Sequence, residues 1–258
     1  MLACASVWPG RVLLVEASED GGALAARFGL GFEPGLTTMA AALRHGRATT
    51  DLAAHSQPLP GTDERLVALV GPPATEQAQV LLRSVAARLE GVLSETAGEA
   101  IVLIDAGRLS TAPLAAPLIA SADRLVLVAR PRVEELQALA HRLAVLARIG
   151  PQPELLLIGD RPYGPEEIAV TLDCPVLGVV AHDPEAADAL AAVTNVRRLG
   201  RTPLLRSAVG VVEQLTKPPT SPTPAGPAGS SGRAERVAVG SANGTGPAGS
   251  RWSARRRP

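Results

Sequence analysis

The stretch VLLVEASEDGG, residues 12 to 22, ends an apolar run on the oxygen-bearing side chains Glu16, Ser18, Glu19 and Asp20, closed by Gly21 and Gly22. Other apolar runs end in a similar way. AIVLID ends on Asp105, with Gly107 two residues on; ELLLIG is followed by Asp160 and Arg161; PVLGVV is followed by His182, Asp183 and Pro184. In an open parallel sheet, ligands sit beyond the carboxyl ends of the strands. Hard carboxylate oxygens in that position suit magnesium and the phosphates it accompanies. The same residues also have plain structural roles. An aspartate after a strand is an ordinary helix cap, and Asp183 before Pro184 reads as an N-cap with proline at the first helical position.

The elements that must position these groups follow from periodicity. Six short apolar runs, at 11–16, 65–70, 100–105, 124–129, 154–159 and 175–180, have the continuous character of strands buried on both faces. Between them, helical spacing predicts helices at 22–28, 36–45, 75–95, 113–121, 132–148, 165–172, 184–193 and 203–216, the longest marked by Val80, Leu81, Val85, Leu89 and Val92. Alternation of this kind predicts an α/β fold, a doubly wound, mostly parallel sheet flanked by helices. The 258 residues, 46% of them hydrophobic, suffice for one sizeable domain, which we place at 1–216. From KPPTSPTPAGPAGSSGR onward, Pro, Gly, Ser and Ala replace every apolar period, and 217–258 is expected to be a disordered tail.

Composition removes several function classes. The aromatic residues are only Trp8, Trp252, Tyr163, Phe28 and Phe32, too few for base stacking along single-stranded nucleic acid. Cys4 and Cys174 lie far apart and the four histidines lack ligand spacing, so reduced thiols and no Cys/His metal site are expected. No apolar run reaches membrane-spanning length and the first residues lack a basic leader, which predicts a cytoplasmic protein. Zero net charge hides an asymmetry: from residue 217 onward Lys217 and six arginines stand against Glu235, or +6. The closing RWSARRRP could touch acidic lipid or nucleic acid through Arg251, Arg255, Arg256, Arg257 and Trp252, giving a peripheral membrane location, or be a solvated basic end.

Taken in order, VLLVEASEDGGALAARFGL, EPGLTTMAAALRHG, IVLIDAGRLS, ADRLVLVARP, LLLIGDRPYGPEEIAVTLDCPVLGVVAHDPEAADAL and TPLLRSAVGVVEQL resemble the MinD/ParA group of P-loop ATPases, over residues 1–216. The resemblance implies ATP and magnesium as cofactors, a homodimer, and protein partners in division, chromosome-partitioning or pilus machinery. It implies that Glu16, Ser18, Gly21 and Gly22 align with the family's first switch, of form D-x-D-x-x-G-G. Ser18 stands where the family has its second carboxylate, with Glu19 and Asp20 as imperfect substitutes. Asp105 aligns with the Walker B carboxylate that holds magnesium through water, and Gly107 opens the second switch. Asp160, Arg161, Asp183 and Pro184 fall in the loops that surround the adenine.

The family's first strand and glycine-rich phosphate loop are missing before residue 11, and LACASVW then reads as the last turns of the helix that follows that loop. Lys217 is the only lysine, so no phosphate-loop lysine is present. Loss of a central strand would strand backbone donors and acceptors in the interior at ~1–3 kcal/mol each, which suggests a product longer at its N-terminus or a truncated form held by a partner. Two functions stand at this stage: a MinD/ParA-like positioning ATPase from which, as the chain is written, no hydrolysis is expected, and a catalytically inactive scaffold of the same fold. A receiver-like signalling domain, with Asp105 as phosphoacceptor, fits less well because the lysine it requires does not exist.

Overall fold

The computed structural model describes residues 1–45, 51–95, 100–108, 110–191, 200–218 and 236–241. Among the described residues there are eight strands: β1 (Val12–Glu16), β2 (Gln57–Pro58), β3 (Leu66–Leu69), β4 (Ile101–Arg108), β5 (Arg124–Ala129), β6 (Pro153–Ile158), β7 (Val176–Val180) and β8 (Arg236–Ser241). The helices are α1 (Leu2–Val7), α2 (Leu24–Phe28), α3 (Leu36–Arg44), α4 (Leu52–His55), α5 (Thr75–Glu95), α6 (Ala116–Ala120), α7 (Val133–Ile149), α8 (Pro165–Leu172), α9 (Pro184–Ala191) and α10 (Pro203–Leu215). Every apolar run of the sequence has become a strand. All the strands join one sheet in the order β2-β3-β1-β4-β8-β5-β6-β7, and only the short β2 runs antiparallel to its neighbour.

Period-two alternation divides the strands between two helical layers. Leu13, Val15, Val102, Ile104, Leu125, Leu127, Leu155 and Leu157 pack beneath α3, α5, α6, α7 and α8. Val12, Leu14, Leu103, Val126 and Leu156 face α1, α2, α9 and α10. Burial on both faces explains why the runs are continuous rather than alternating in sequence. No helix among the described residues is long and apolar enough to cross a membrane.

The expectation that everything after Lys217 is unstructured fails at 236–241. There β8 pairs in parallel with β4 on one side and β5 on the other, from Val102 opposite Arg236 to Val128 opposite Ser241. The central position foreseen as missing is therefore filled, and by a strand from near the end of the chain. Its stabilisation comes from non-local partners: a central strand satisfies backbone groups on two neighbouring edges that would otherwise be buried unpaired. Residues 219–235 and 242–258, including Trp252 and the terminal arginines, lie outside the described residues.

Cys4 and Cys174 are both free and buried. The Cys174 Sγ donates to the Pro153 carbonyl at 3.1 Å. Burial, followed by the charges of Glu154 and Asp173, pushes its thiol from 9.0 up to about 12. The folded protein thus keeps this proton where the unfolded chain loses it, so the stability it contributes is complete below pH 9.0 and is lost as pH rises toward about 12. We expect the urea midpoint of Cys174→Ala to fall less steeply with pH above 9.0 than that of the parent chain, in parallel denaturation series.

Candidate functional site

The acidic residues picked out in the sequence gather at the carboxyl edge of the sheet, as parallel pairing requires. Glu16 ends β1 and lies in register with Asp105 of the adjacent β4, which runs three residues further to Arg108. What these carboxylates touch is chiefly backbone. Glu16 is buried, and its Oε1 accepts from the amides of Ala23 at 2.7 Å and Leu24 at 2.8 Å, while Oε2 accepts from the Gly71 amide at 3.0 Å. It thereby caps the first turn of α2, whose own N-cap residue, Ala23, has no side-chain oxygen to offer, and ties that helix to the turn after β3. Gly22 permits the close approach: a Cβ there would lie 2.5 Å from Glu16 Oε2 and 2.7 Å from the Gly71 carbonyl.

The remaining switch-like residues lock two loops together. Ser18 Oγ accepts from the Asp20 amide at 3.1 Å, and Glu19 Oε2 accepts from the Leu114 amide at 3.4 Å. Asp20 Oδ2 lies 3.7 Å from Arg108 Nε in an exposed pair, and Thr75 Oγ1 donates to the Asp20 carbonyl at 3.0 Å. Asp105 Oδ1 accepts from the Gly107 amide at 2.9 Å. Gly107 has φ +66°, and a Cβ on it would come 2.3 Å from Ser18 Oγ, so the two loops meet at van der Waals contact only because this residue is glycine.

Beside these loops lies a cleft of about 650 Å³. Its lining includes Glu16 and Asp105, His182, Asp183 and Pro184, and Met1 with Leu2 and Cys4 of α1. Burial raises the Cys4 thiol, opposed by the nearby N-terminal ammonium. Asp183 accepts from the Ala186 amide at 3.1 Å and so caps α9. Asp160 and Arg161 sit exposed in the loop after β6 and do not line the cleft. Two basic residues that sequence reasoning passed over do line it, Arg27 and Arg130. Arg130 is tied to Glu135, its Nε donating to Oε1 at 2.6 Å and its backbone amide to Oε2 at 2.8 Å. For Arg130 the available signal was a charge directly after the buried run that ends at Ala129; Arg27, in the last turn of α2, carried none.

A magnesium-bound triphosphate does not fit these residues well. Glu16 has both oxygens engaged by amides, Ser18 offers no carboxylate, and Asp105 already holds the Gly107 amide. No group of three or more His, Cys, Asp or Glu side chains among the described residues is placed to hold a metal ion. Lys217 lies at the opposite edge of the sheet: its carbonyl is held by Arg124, the first residue of β5, and its Nζ donates to Gln214 Oε1 at 3.3 Å.

No protein-family model matches the chain, and no curated protein matches it in sequence. Solved structures do match in shape. A ParA family ATPase from Chlorobium tepidum TLS superimposes with a TM-score of 0.66 at 17% identity, covering 83% of this chain and 89% of that one. The septum site-determining protein MinD from Pyrococcus horikoshii OT3, complexed with Mg-ADP, gives 0.62 at 18% identity over 84% of this chain and 87% of its own. A MinC:MinD cell division protein complex from Aquifex aeolicus gives 0.57 at 14% identity, covering 83% and 88%. With its parallel sheet, its helical layers and its loops gathered at one edge, the chain has the MinD/ParA fold.

Proposed function

We propose that this chain is a scaffold of the MinD/ParA fold, working in cell-division, partitioning or related positioning machinery through protein partners, without turning over ATP. The engagement of Glu16 by three backbone amides carries this reading, because a buried carboxylate with both oxygens held by backbone amides serves as a structural strut rather than a metal ligand. A groove of about 720 Å³ between α3 and α5, with Phe32 and Val80 exposed on its walls, supports action through a partner. The Aquifex neighbour is itself a complex of MinC with MinD.

A second reading, a nucleotide-cycling homodimer with a peripheral membrane location, is favoured by the cleft that joins Asp105 to His182, Asp183 and Pro184. Phosphate release and thermal unfolding, each followed with and without magnesium-ATP, separate the two. The scaffold shows no magnesium-dependent release and no saturable rise in Tm, since a ligand bound only by the folded state raises Tm with its concentration. Magnesium-dependent release that disappears in Asp105→Ala overturns the scaffold.

A further inference from the structure

The most unusual feature of the sheet is the source of its central strand. β4 and β5 follow one another along the chain through α6, yet they do not pair with each other. The strand between them comes from beyond residue 235 and runs parallel to both. It contributes to both layers at once, Val237 packing toward α1 and α10, Ala238 toward α5 and α7.

Its entry point is chemically specific. Arg236 is 1% exposed. Its Nη1 donates to Ser94 Oγ at 2.7 Å and lies 3.5 Å from Glu90 Oε1, both on α5. Asp123 grips the same residue through the backbone: Oδ2 accepts from the Arg236 amide at 2.7 Å, and the Asp123 amide donates to the Arg236 carbonyl at 2.9 Å. Asp123 Oδ2 also lies 3.9 Å from Arg236 Nε. Two carboxylates and a hydroxyl thus surround a buried guanidinium at the head of the strand. Such charge-assisted contacts discriminate, because a strand with a neutral first residue gives up the ion pairs to Glu90 and Asp123 and the bond to Ser94.

Arg124 holds the Lys217 carbonyl where the chain leaves the domain, and the neighbouring Asp123 holds Arg236 where it returns. Lys217 and Arg236 are thus both held at the head of β5, on either side of the stretch PTSPTPAGPAGSSGRAE in the sequence. From these contacts we propose that the space between β4 and β5 is a strand-acceptor groove that reads an arginine-led apolar strand, R-V-A-V-G, with β8 as a separable occupant bound in cis. The groove gains main-chain hydrogen bonds on both sides, as in other cases of strand addition, and takes its specificity from Glu90, Ser94 and Asp123. Its occupant also runs alongside the switch-like loops. The register of β4 against β8 shifts between Asp105 and Arg108, and Arg108 reaches Asp20.

Two measurements on the full chain test this. In native-state hydrogen exchange at low urea, the amides of Val237 to Gly240 open in a sub-global event, faster and with a weaker urea dependence than those of Leu13 to Val15 in β1. Exchange of both sets through one global event overturns the proposal. In the second, Val237→Pro with Ala238→Pro removes ladder donors toward both neighbours and disables the strand in cis. A synthetic peptide of residues 233–243 then binds this variant saturably and raises its Tm, while the peptide carrying Arg236→Ala binds at least about tenfold more weakly. If the double variant does not fold alone, it is refolded with each peptide, and recovery with the arginine peptide alone is the expected result. No binding or recovery with either peptide, or equal effects of both, sinks it.

Discussion

Arg124→Met lowers the stability of the folded chain by about 3 to 5 kcal/mol, read from the shift of the urea midpoint. Arg124 opens β5 with its side chain only 3% exposed. Its guanidinium forms a two-pronged pair with Glu154 on β6, Nε to Oε2 at 2.8 Å and Nη2 to Oε1 at 2.7 Å. The remaining nitrogen, Nη1, donates to the carbonyls of Gln214, Leu215 and Lys217 at 2.8, 3.1 and 3.0 Å, which closes the C-terminus of α10. Methionine fills the volume but abandons a buried carboxylate and three carbonyls together. Against a typical net stability of about 5 to 15 kcal/mol, that loss is a large fraction of the whole. Arg124→Lys falls between the two, since an ammonium is a point charge and cannot serve a planar carboxylate and a helix end at once. Arg124→Met combined with Glu154→Leu recovers much of the loss, because it removes the stranded charge instead of leaving it. A cost for Arg124→Met below about 1 kcal/mol, the value of an exposed ion pair, would show that this cluster is not the buried anchor described here.

The same residues show what a sequence can and cannot disclose. The six apolar runs were legible because their burial is written locally, as branched and aliphatic residues in unbroken succession. β8 was not: R-V-A-V-G-S carries two valines within a stretch of Gly, Ala, Pro and Ser, and its burial is supplied by β4 and β5, more than a hundred positions away. One signal did exist. Arg124, Glu154 and Arg236 each stand at or near the head of a strand, where a buried charge is paired at the sheet's amino edge. At the carboxyl edge, position was legible and role was not. The sequence placed Glu16 at the end of β1, but one of its three amide partners belongs to Gly71, which only the fold brings near.

Glu16→Ala costs about 3 to 4 kcal/mol, and this experiment separates the two meanings of that carboxylate most directly. Three amides lose a charged acceptor, and an amide buried without a partner carries a penalty of ~1 to 3 kcal/mol. Part of the loss is offset because the interior no longer holds a carboxylate, which keeps the total below the sum of three bonds. Glu16→Gln keeps one oxygen for Ala23 and Leu24 but turns an amide group toward the Gly71 N–H, donor against donor, and costs about 1 to 2 kcal/mol. Glu16→Asp is one methylene shorter and cannot span α2 and the turn after β3 together, so it falls between them despite keeping its charge. The readout is paired: urea denaturation for stability, and the magnesium-ATP dependence of Tm for ligand binding. A strut predicts the stability order parent, Gln, Asp, Ala, with no change in the response to nucleotide. A magnesium ligand predicts instead that Gln abolishes a nucleotide response that the parent must first possess, so the nucleotide dependence of Tm, not the stability cost of Gln, separates the two readings. Because Glu16 faces a helix N-terminus, where a negative charge is favoured, removing it also loosens α2. Faster amide exchange at Arg27 in Glu16→Ala, with little change at Leu127 in β5, is the local signature of that loosening.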